Sequence, residues 1–438
     1  YFFRFFDIET LGMTITSEAT ERVEDIEISL VLDVSGSMTE RSSDGSRMIK
    51  LDLLKNAASD FVETILSDSE EGRVSISLVP YSTKVNPGSA LLGQYTATQE
   101  HDYSHCVDFD ASDFTNLGIN TRAELQRTGH FLIGSDSTWT PMTGQWVCRF
   151  DGGFAVTPLS SSPAELKTQI SALTGLGSTS IDMGAKWGLA LLDPSAQDPV
   201  SGLIAAGQID PAFQGRPHVY GADNSMKVLV LMTDGENREE YRLKPEFASG
   251  RSDLIRTTYG SSTYYTVESS ENWSENDGDR TYPEAYFYAQ HPFGSQRMWS
   301  TDTIANNSGY RFANRASEER LDWPEVWAEM SPYYYGYNMY GRRFDNYWSY
   351  RAALYRDYVQ WTVDATEKDR RLRQICGVAN AAGVVIYSIG MDVDNTNSLN
   401  LLKDCASSEA HYFDVQGLEI QTAFDMIAAS ISMLRLTK

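Results

Sequence analysis

Hydrophobic and polar positions alternate in two distinct periods along the chain, and the periods change in a regular order. From Glu27 a short apolar run, Ile28-Ser29-Leu30-Val31-Leu32, predicts a strand that ends at Asp33. Met48, Leu51, Leu54, Ala58, Phe61, Val62 and Ile65 then recur at helical spacing. A second strand pattern follows at Val74-Ser75-Ile76-Ser77-Leu78-Val79. Helical patterns return from Pro163 to Leu173 and from Ile181 to Leu192. The run Lys227-Val228-Leu229-Val230-Leu231-Met232 is almost wholly apolar, as a central parallel strand buried on both faces should be. A helix near Glu367 to Ala382, a strand at 384–389, a short helix around Leu399 to Cys405 and a last helix with Phe424, Ile427, Ile431 and Leu434 on one face complete the pattern. Strand and helix alternate throughout, which predicts an α/β fold with a mostly parallel sheet.

Three stretches interrupt this periodicity. Residues 93–155 are rich in Thr, Ser, Gly and Asp and read as an insertion stapled by one cysteine pair. Residues 193–222 read as a Pro/Gly/Ala-rich loop. Residues 238–365 form a larger insertion crowded with aromatics, among them Trp273, Trp299, Trp323, Trp327, Tyr333, Tyr334, Tyr335, Tyr337, Tyr340, Tyr347 and Trp348. These rings could form a binding platform, but packing of the insertion's own core is the favoured reading. Residues 1–22 have the character of an extended segment preceding a domain over 23–438.

Composition narrows the function. Among 438 residues, 36 Lys and Arg face 60 Asp and Glu, a net charge of −24. A field of that sign repels phosphate backbones and anionic lipid heads, which argues against nucleic acid as a partner. Four well-spread cysteines without a CxxC pair suit two disulfides, Cys106 with Cys148 and Cys376 with Cys405, since each pair brackets one local segment. Four buried free thiols are the alternative. Two bridges, worth about 2–4 kcal/mol each, point to an oxidising, extracytoplasmic setting such as periplasm, cell surface or pilus. No apolar run approaches the ~20 residues that span a bilayer. The chain opens abruptly with Tyr1-Phe2-Phe3-Arg4-Phe5-Phe6 and without an initiator Met. It therefore reads as a fragment whose signal or anchor lies upstream, and any membrane contact is expected only through that missing segment.

Candidate chemistry gathers at the predicted strand ends, where open α/β sheets bind ligands. Asp33-Val34-Ser35-Gly36-Ser37-Met38 follows the first strand, Thr233-Asp234-Gly235 follows the central strand, and Gly177-Ser178-Thr179-Ser180 precedes a helix. Two carboxylates, Asp33 and Asp234, and three hydroxyls, Ser35, Ser37 and Thr179, are hard oxygen ligands. They suit one divalent cation, magnesium first and calcium or manganese as alternatives, and suit zinc or copper poorly. Alternate residues from Asp33 to Ser37 can turn three side chains to one point, with Gly36 permitting a tight backbone path. Two carboxylates balance a dication, which stays electrophilic toward a further anionic oxygen. The competing reading makes Asp33 a turn cap, Ser35 and Ser37 helix caps, and Asp234-Gly235 a simple turn.

These three fragments, with Gly177–Ser180 standing between the other two in the chain, resemble the metal-ion-dependent adhesion site (MIDAS) of von Willebrand factor A (VWA) domains. The resemblance implies a VWA, Rossmann-like, doubly wound sheet with long disulfide-stapled and aromatic-rich insertions. It implies that Ser35, Ser37 and Thr179 contact the ion directly, that Asp33 and Asp234 do so directly or through water, and that a partner's Glu or Asp carboxylate completes the site. The chain further resembles bacterial Tad/Flp pilus proteins of the TadG type. That likeness is carried by Leu32 to Met38, by Leu231-Met232-Thr233-Asp234-Gly235-Glu236-Asn237, and by a tail of Ile375-Cys376, Gly383 to Ile389, Leu401 to Ala406, Phe424 and Ser432 to Leu436. It implies a minor pilin-like or tip-associated adhesive role, with pilin-like subunits or a carboxylate-bearing surface ligand as partners. A structural pilus-assembly factor whose metal only stabilises the fold is the alternative.

Other signals are weaker. His101 and His105, four residues apart, suggest zinc, but no second cluster supplies ligands, and surface loop histidines are the favoured reading. Asn276-Asp277-Gly278-Asp279 resembles part of a calcium loop without its remaining ligands. No GxSxG, HExxH or P-loop is present, so an enzyme, such as an extracellular hydrolase using acidic loops, is not the expectation.

Overall fold

The computed structural model describes residues 25–67, 69–70, 72–129, 146–151, 153–269, 273–274, 281–282, 285–289, 298–300, 302–307, 315–340 and 359–437. The expected extended segment at 1–22 lies outside these residues.

Six strands build the core sheet: β1 (Asp25–Asp33), β2 (Val74–Tyr81), β3 (Thr157–Ser160), β4 (Ser225–Thr233), β5 (Val385–Met391) and β6 (Tyr412–Val415). Their spatial order is β6-β5-β4-β1-β2-β3. All neighbours run parallel except β2 and β3. The chain thus builds outward from β1 through β2 to β3, then returns to the other side of β1 for β4 to β6. The order reverses between β1 and β4, the place where such sheets open a crevice at their carboxyl ends.

Six helices cover the sheet: α1 (Lys50–Ser67), α2 (Pro163–Ala172), α3 (Ile181–Ala190), α4 (Ala365–Ala381), α5 (Thr396–Cys405) and α6 (Glu419–Thr437). Strand periodicity sorts the core into two layers. Leu30, Leu32, Val228, Val230 and Met232 pack with Phe61 of α1, Leu166 of α2 and Phe424 of α6. Val31, Leu229 and Leu231 pack on the other face with Trp187 of α3, Leu372 of α4 and Leu401 of α5. Residues 26–33 and 226–233 are buried throughout, as a central parallel sheet requires.

Helix α3 lies against the sheet because two glycines remove the side chains that would hold it away. A Cβ on Gly184 would come within 2.7 Å of the Tyr81 ring, and one on Gly188 within 2.5 Å of Val31 Cγ2. The Ser29 hydroxyl donates to the Gly188 carbonyl at 2.6 Å.

Several elements differ from the sequence reading. Helix α1 begins at Lys50, so Met48 precedes it and is 38% exposed. The stretch 193–222 is not simply loop: Gln197–Ala205 is helical and buries Pro199, Val200 and Leu203. Its apolar stripe is only two turns long, too short to stand out as periodicity. Strands β3 and β6 have four residues each and carry no alternation long enough to read.

The first insertion packs into the core: Tyr95 and Phe109 meet Trp187 edge-on at 6.1 and 5.9 Å. The larger insertion leaves and re-enters through an antiparallel pair, Glu240–Leu243 with Val359–Val363. Between them lies a five-stranded antiparallel sheet ordered Met298–Ser300, Ala285–Tyr288, Ser262–Ser269, Arg251–Tyr259, Ser317–Asp322. Trp323, Trp327, Tyr334 and Tyr335 pack there with Leu254, Val267 and Phe287 as a separate core, the two indoles stacked at 5.2 Å. Tyr347, Trp348 and the Asn276–Asp279 stretch lie outside the described residues, as do the side chains of Trp273, Trp299, Tyr337, Tyr340 and Leu434.

Cys106 is bonded to Cys148 and Cys376 to Cys405, with Cα–Cα separations of 5.5 and 5.1 Å. The second bridge joins α4 to α5.

Candidate metal centre

Asp33 is the last residue of β1, and Thr233 the last of β4, one step beyond the Leu32–Met232 register pair. This adjacency brings together the carboxylates of Asp33 and Asp234, at opposite ends of a long stretch of chain. One Asp33 oxygen accepts the Ser35 backbone N–H at 2.8 Å and the other the Thr233 hydroxyl at 2.7 Å. Ser35 then opens a short 3-10 turn, Gly36–Thr39, without using its side chain as a cap. Its hydroxyl instead lies 3.0 Å from that of Ser37, which donates to Asp234 Oδ1 at 2.6 Å. Asp33, Ser35, Ser37 and Asp234 therefore form one connected oxygen cluster. The capping alternative accounts for the Asp33 turn but not for the two serine hydroxyls.

Thr179 approaches from the α3 side and is 5% exposed. Thr179 Oγ1 and Ser37 Oγ each lie 3.9 Å from where a Cβ on Gly235 would stand, so they are within twice that distance of each other. The Gly36 N–H donates to the Gly177 carbonyl at 2.9 Å, and a Cβ on Gly36 would sit 3.2 Å from that oxygen. Close approach, rather than an unusual dihedral, is what Gly36 provides. Gly177 has φ +90°, and a side chain there would also press on Thr83.

The electrostatics are unbalanced at one residue. The Asp33 side chain is fully buried, and among the described residues no ion pair joins it. Burial, and secondarily the charge of Asp234, push its carboxyl up to about 7. Asp234 differs: Lys50 Nζ donates to its Oδ2 at 2.9 Å. Lys50 opens α1 and is itself 6% exposed. A desolvated carboxylate without a counter-charge, in a cluster of oxygen atoms only, fits a hard divalent cation. Among the described residues no group of three or more His, Cys, Asp or Glu side chains is placed to hold a metal; here hydroxyls make up the set.

The three loops are fixed from behind. Asn237 accepts the Ile181 N–H at 2.8 Å and donates to Asp369 at 2.9 Å, and the Arg238 N–H donates to the Thr179 carbonyl at 2.9 Å. Buried Lys368 donates to Ser180 Oγ and to the Arg238 carbonyl. Arg149, beside the Cys106–Cys148 bridge, donates to the carbonyls of Val34 (3.1 Å) and Leu176 (3.3 Å) and to Thr174 Oγ1 (2.6 Å). Lys50 and Arg149 were not singled out by sequence, and Thr233 and Asn237 stood in the quoted strand-end motif without a role assigned to them. Of the first two, Lys50 carried a signal, a charge on the same stripe as Leu54 and Phe61.

His101 is not loose on the surface: its ring stacks on Tyr103 at 4.1 Å, and burial lowers its pKa to about 4. Among the described residues no helix is long and apolar enough to cross a membrane.

No protein-family model matches the chain, and no curated protein is matched. Among solved structures it is similar to the vWF domain of the type V pili tip protein Mfa5 from Porphyromonas gingivalis. The identity is 16% over 94% of this chain and 96% of that one, with a TM-score of 0.36. It is also similar to the adhesive tip pilin GBS104 from Group B Streptococcus agalactiae, at 12% identity over 93% and 100%, TM-score 0.36. For the pilus adhesin SpaC from Lactobacillus rhamnosus GG the values are 12%, 94% of this chain and 0.35, and this chain spans only 31% of that protein. With TM-scores this low, the likeness assigns this chain neither a family nor a function.

Proposed function

We propose that this chain is a VWA-type binding protein with a doubly wound, mostly parallel core, and that Asp33, Ser35, Ser37, Thr179 and Asp234 hold one divalent cation. The observation that carries the reading is the hydrogen-bonded oxygen cluster at the reversal of strand order, with Asp33 buried and, among the described residues, without a cationic partner. When bound, the cation would supply an electrophilic position to an anionic oxygen. Ser37 is the most open of the five side chains, so a partner's Glu or Asp carboxylate would approach over it. The role is binding, with no catalytic step.

The biological setting rests on sequence resemblance alone: a Tad/Flp-type pilus protein of the TadG type, outside the cytoplasm, meeting pilin-like subunits or a carboxylate-bearing surface. Magnesium is the first choice of ion. A second reading, that the metal only stabilises the fold, draws support from the burial of Asp33, Ser35, Thr179 and Asp234. Chelation separates the two. Capture of the same system's pilin-like subunits should fail in EDTA and return with Mg²⁺, while thermal unfolding moves little. Capture that survives EDTA, with a large loss of thermal stability, would favour the structural role.

A further inference from the structure

Among the described residues Lys50 is the one ammonium bonded to the cluster, and its position divides the work of Asp234. Oδ1 of that carboxylate accepts the Ser37 hydroxyl at 2.6 Å, while Oδ2 accepts Lys50 Nζ at 2.9 Å. The Asp234 side chain is fully buried and that of Lys50 nearly so. The second carboxylate near Lys50, Glu40, is 3.8 Å away with its side chain 70% exposed, so water screens it. The lysine is held in place through its own backbone, whose N–H donates to the Glu40 carbonyl at 3.0 Å. It also begins α1, whose buried stripe continues through Leu54 and Phe61.

On the reading of this cluster as a metal site, we infer that Lys50 is a specificity-determining counter-charge, which weakens the hold on the cation and strengthens the hold on an anionic partner. The charges decide the sign. With both carboxylates ionised, as metal binding requires, the cluster without Lys50 carries two negative charges, and a dication brings it to neutrality. With Lys50 it carries one, and the loaded site keeps a net positive charge in a buried setting, where Coulomb interactions are strong. Neutralising Lys50 therefore moves the two affinities in opposite directions. It also strips the buried Asp234 carboxylate of its partner in the metal-free protein, which costs stability there. A metal would restore that loss. A lysine serving only to pack α1 would instead lower stability equally with and without metal.

The test uses the whole chain with Mn²⁺ as the metal probe and acetate as the anion probe. Lys50→Met removes charge and donor together, Lys50→Gln keeps a donor without the charge, and Lys50→Arg keeps the charge. Mn²⁺ affinity is read by calorimetry. Acetate binding to the Mn²⁺-loaded protein is read by water-proton relaxation, and unfolding temperature is followed with and without Mn²⁺. Both neutral variants should bind Mn²⁺ roughly tenfold more tightly and acetate more weakly. Their unfolding temperature should fall in the metal-free form and recover on loading, while Lys50→Arg behaves as wild type. Mn²⁺ affinity unchanged or reduced in whichever neutral variant folds, while wild type binds Mn²⁺, overturns the inference and leaves the metal site standing. Wild type that binds no Mn²⁺ overturns both.

Discussion

Ser37 Oγ donates to Asp234 Oδ1 at 2.6 Å across 197 positions of sequence. Neither group is needed there for secondary structure, since Ser37 lies inside a 3-10 turn and Asp234 follows the end of β4. Truncating either hydroxyl that faces this point should act on the ion more than on the fold. Ser37→Ala and Thr179→Val are each expected to weaken Mn²⁺ binding more than ~tenfold, while unfolding in urea without metal shifts by about 1 kcal/mol or less. Titration calorimetry beside urea melts reads both. Unchanged Mn²⁺ affinity in both variants would remove the hydroxyls from the ligand set.

Packing of α3 sets where Thr179 stands. A Cβ on Gly188 would come within 2.5 Å of Val31 and 2.9 Å of Leu229. Gly188→Ala should destabilise by about 1–3 kcal/mol, the overpacking outweighing the better helix propensity of alanine. Gly377 in α4 provides the control, because its Cβ would meet nothing within 4 Å. Gly377→Ala should stabilise by about 0.5–1 kcal/mol. Denaturant midpoints moving the same way in both variants would contradict this packing.

Arg149 joins the disulfide-stapled insertion to two loops of the site through the Val34 and Leu176 carbonyls. Its residue is 3% exposed, so Arg149→Ala removes a buried charged donor from the Val34 carbonyl, which keeps the Leu176 N–H at 3.0 Å, and takes the donor from the Leu176 carbonyl. The expected loss is roughly 2–3 kcal/mol of stability, with weaker Mn²⁺ binding as the loop 34–37 relaxes. A variant with wild-type stability and metal affinity would show that the insertion does not brace the site.

His101 gives the protein an acid-sensitive step. Burial lowers its folded-state pKa to about 4 from an ordinary 6.5, and its Nδ1 is buried with no hydrogen-bond partner among the described residues. Between these values the unfolded chain takes up the proton and the folded one does not. Stability contributed by the neutral ring is thus complete above pH 6.5, falls as pH drops toward 4, and changes no further below that. The ring is partly exposed, so the effect is about 1 kcal/mol. Urea midpoints at pH 7 and 4.5 should differ less in His101→Gln than in wild type; an equal difference would exclude this histidine as the cause.

How much of this was legible in the sequence follows from length and locality. Residues 28–32 and 227–232 announce their strands because burial on both faces makes them apolar at all but one position each, Ser29 and Lys227. Residues 157–160 and 412–415 do not, because four positions hold no period. The oxygen atoms of Asp33, Ser35 and Ser37 share one loop and could be read together, and Asp234 and Thr179 stood at recognisable ends. The groups that position them could not be seen. Asn237 acts by bonding the Ile181 N–H, and Arg149 acts on the Val34 carbonyl 115 positions earlier in the chain, contacts that exist only once the sheet has ordered its strands. Lys50 was half visible, as a charge on an apolar stripe whose partner lay 184 positions away.

The most direct measurement is a calorimetric titration of the metal-free protein with Mn²⁺, repeated on Asp33→Asn and Asp234→Asn. Wild type should take up one ion per chain, with the isotherm lost or weakened ~100-fold in both variants while far-ultraviolet circular dichroism stays unchanged. Wild type that takes up no ion, or variants that bind as tightly as wild type, would contradict the account.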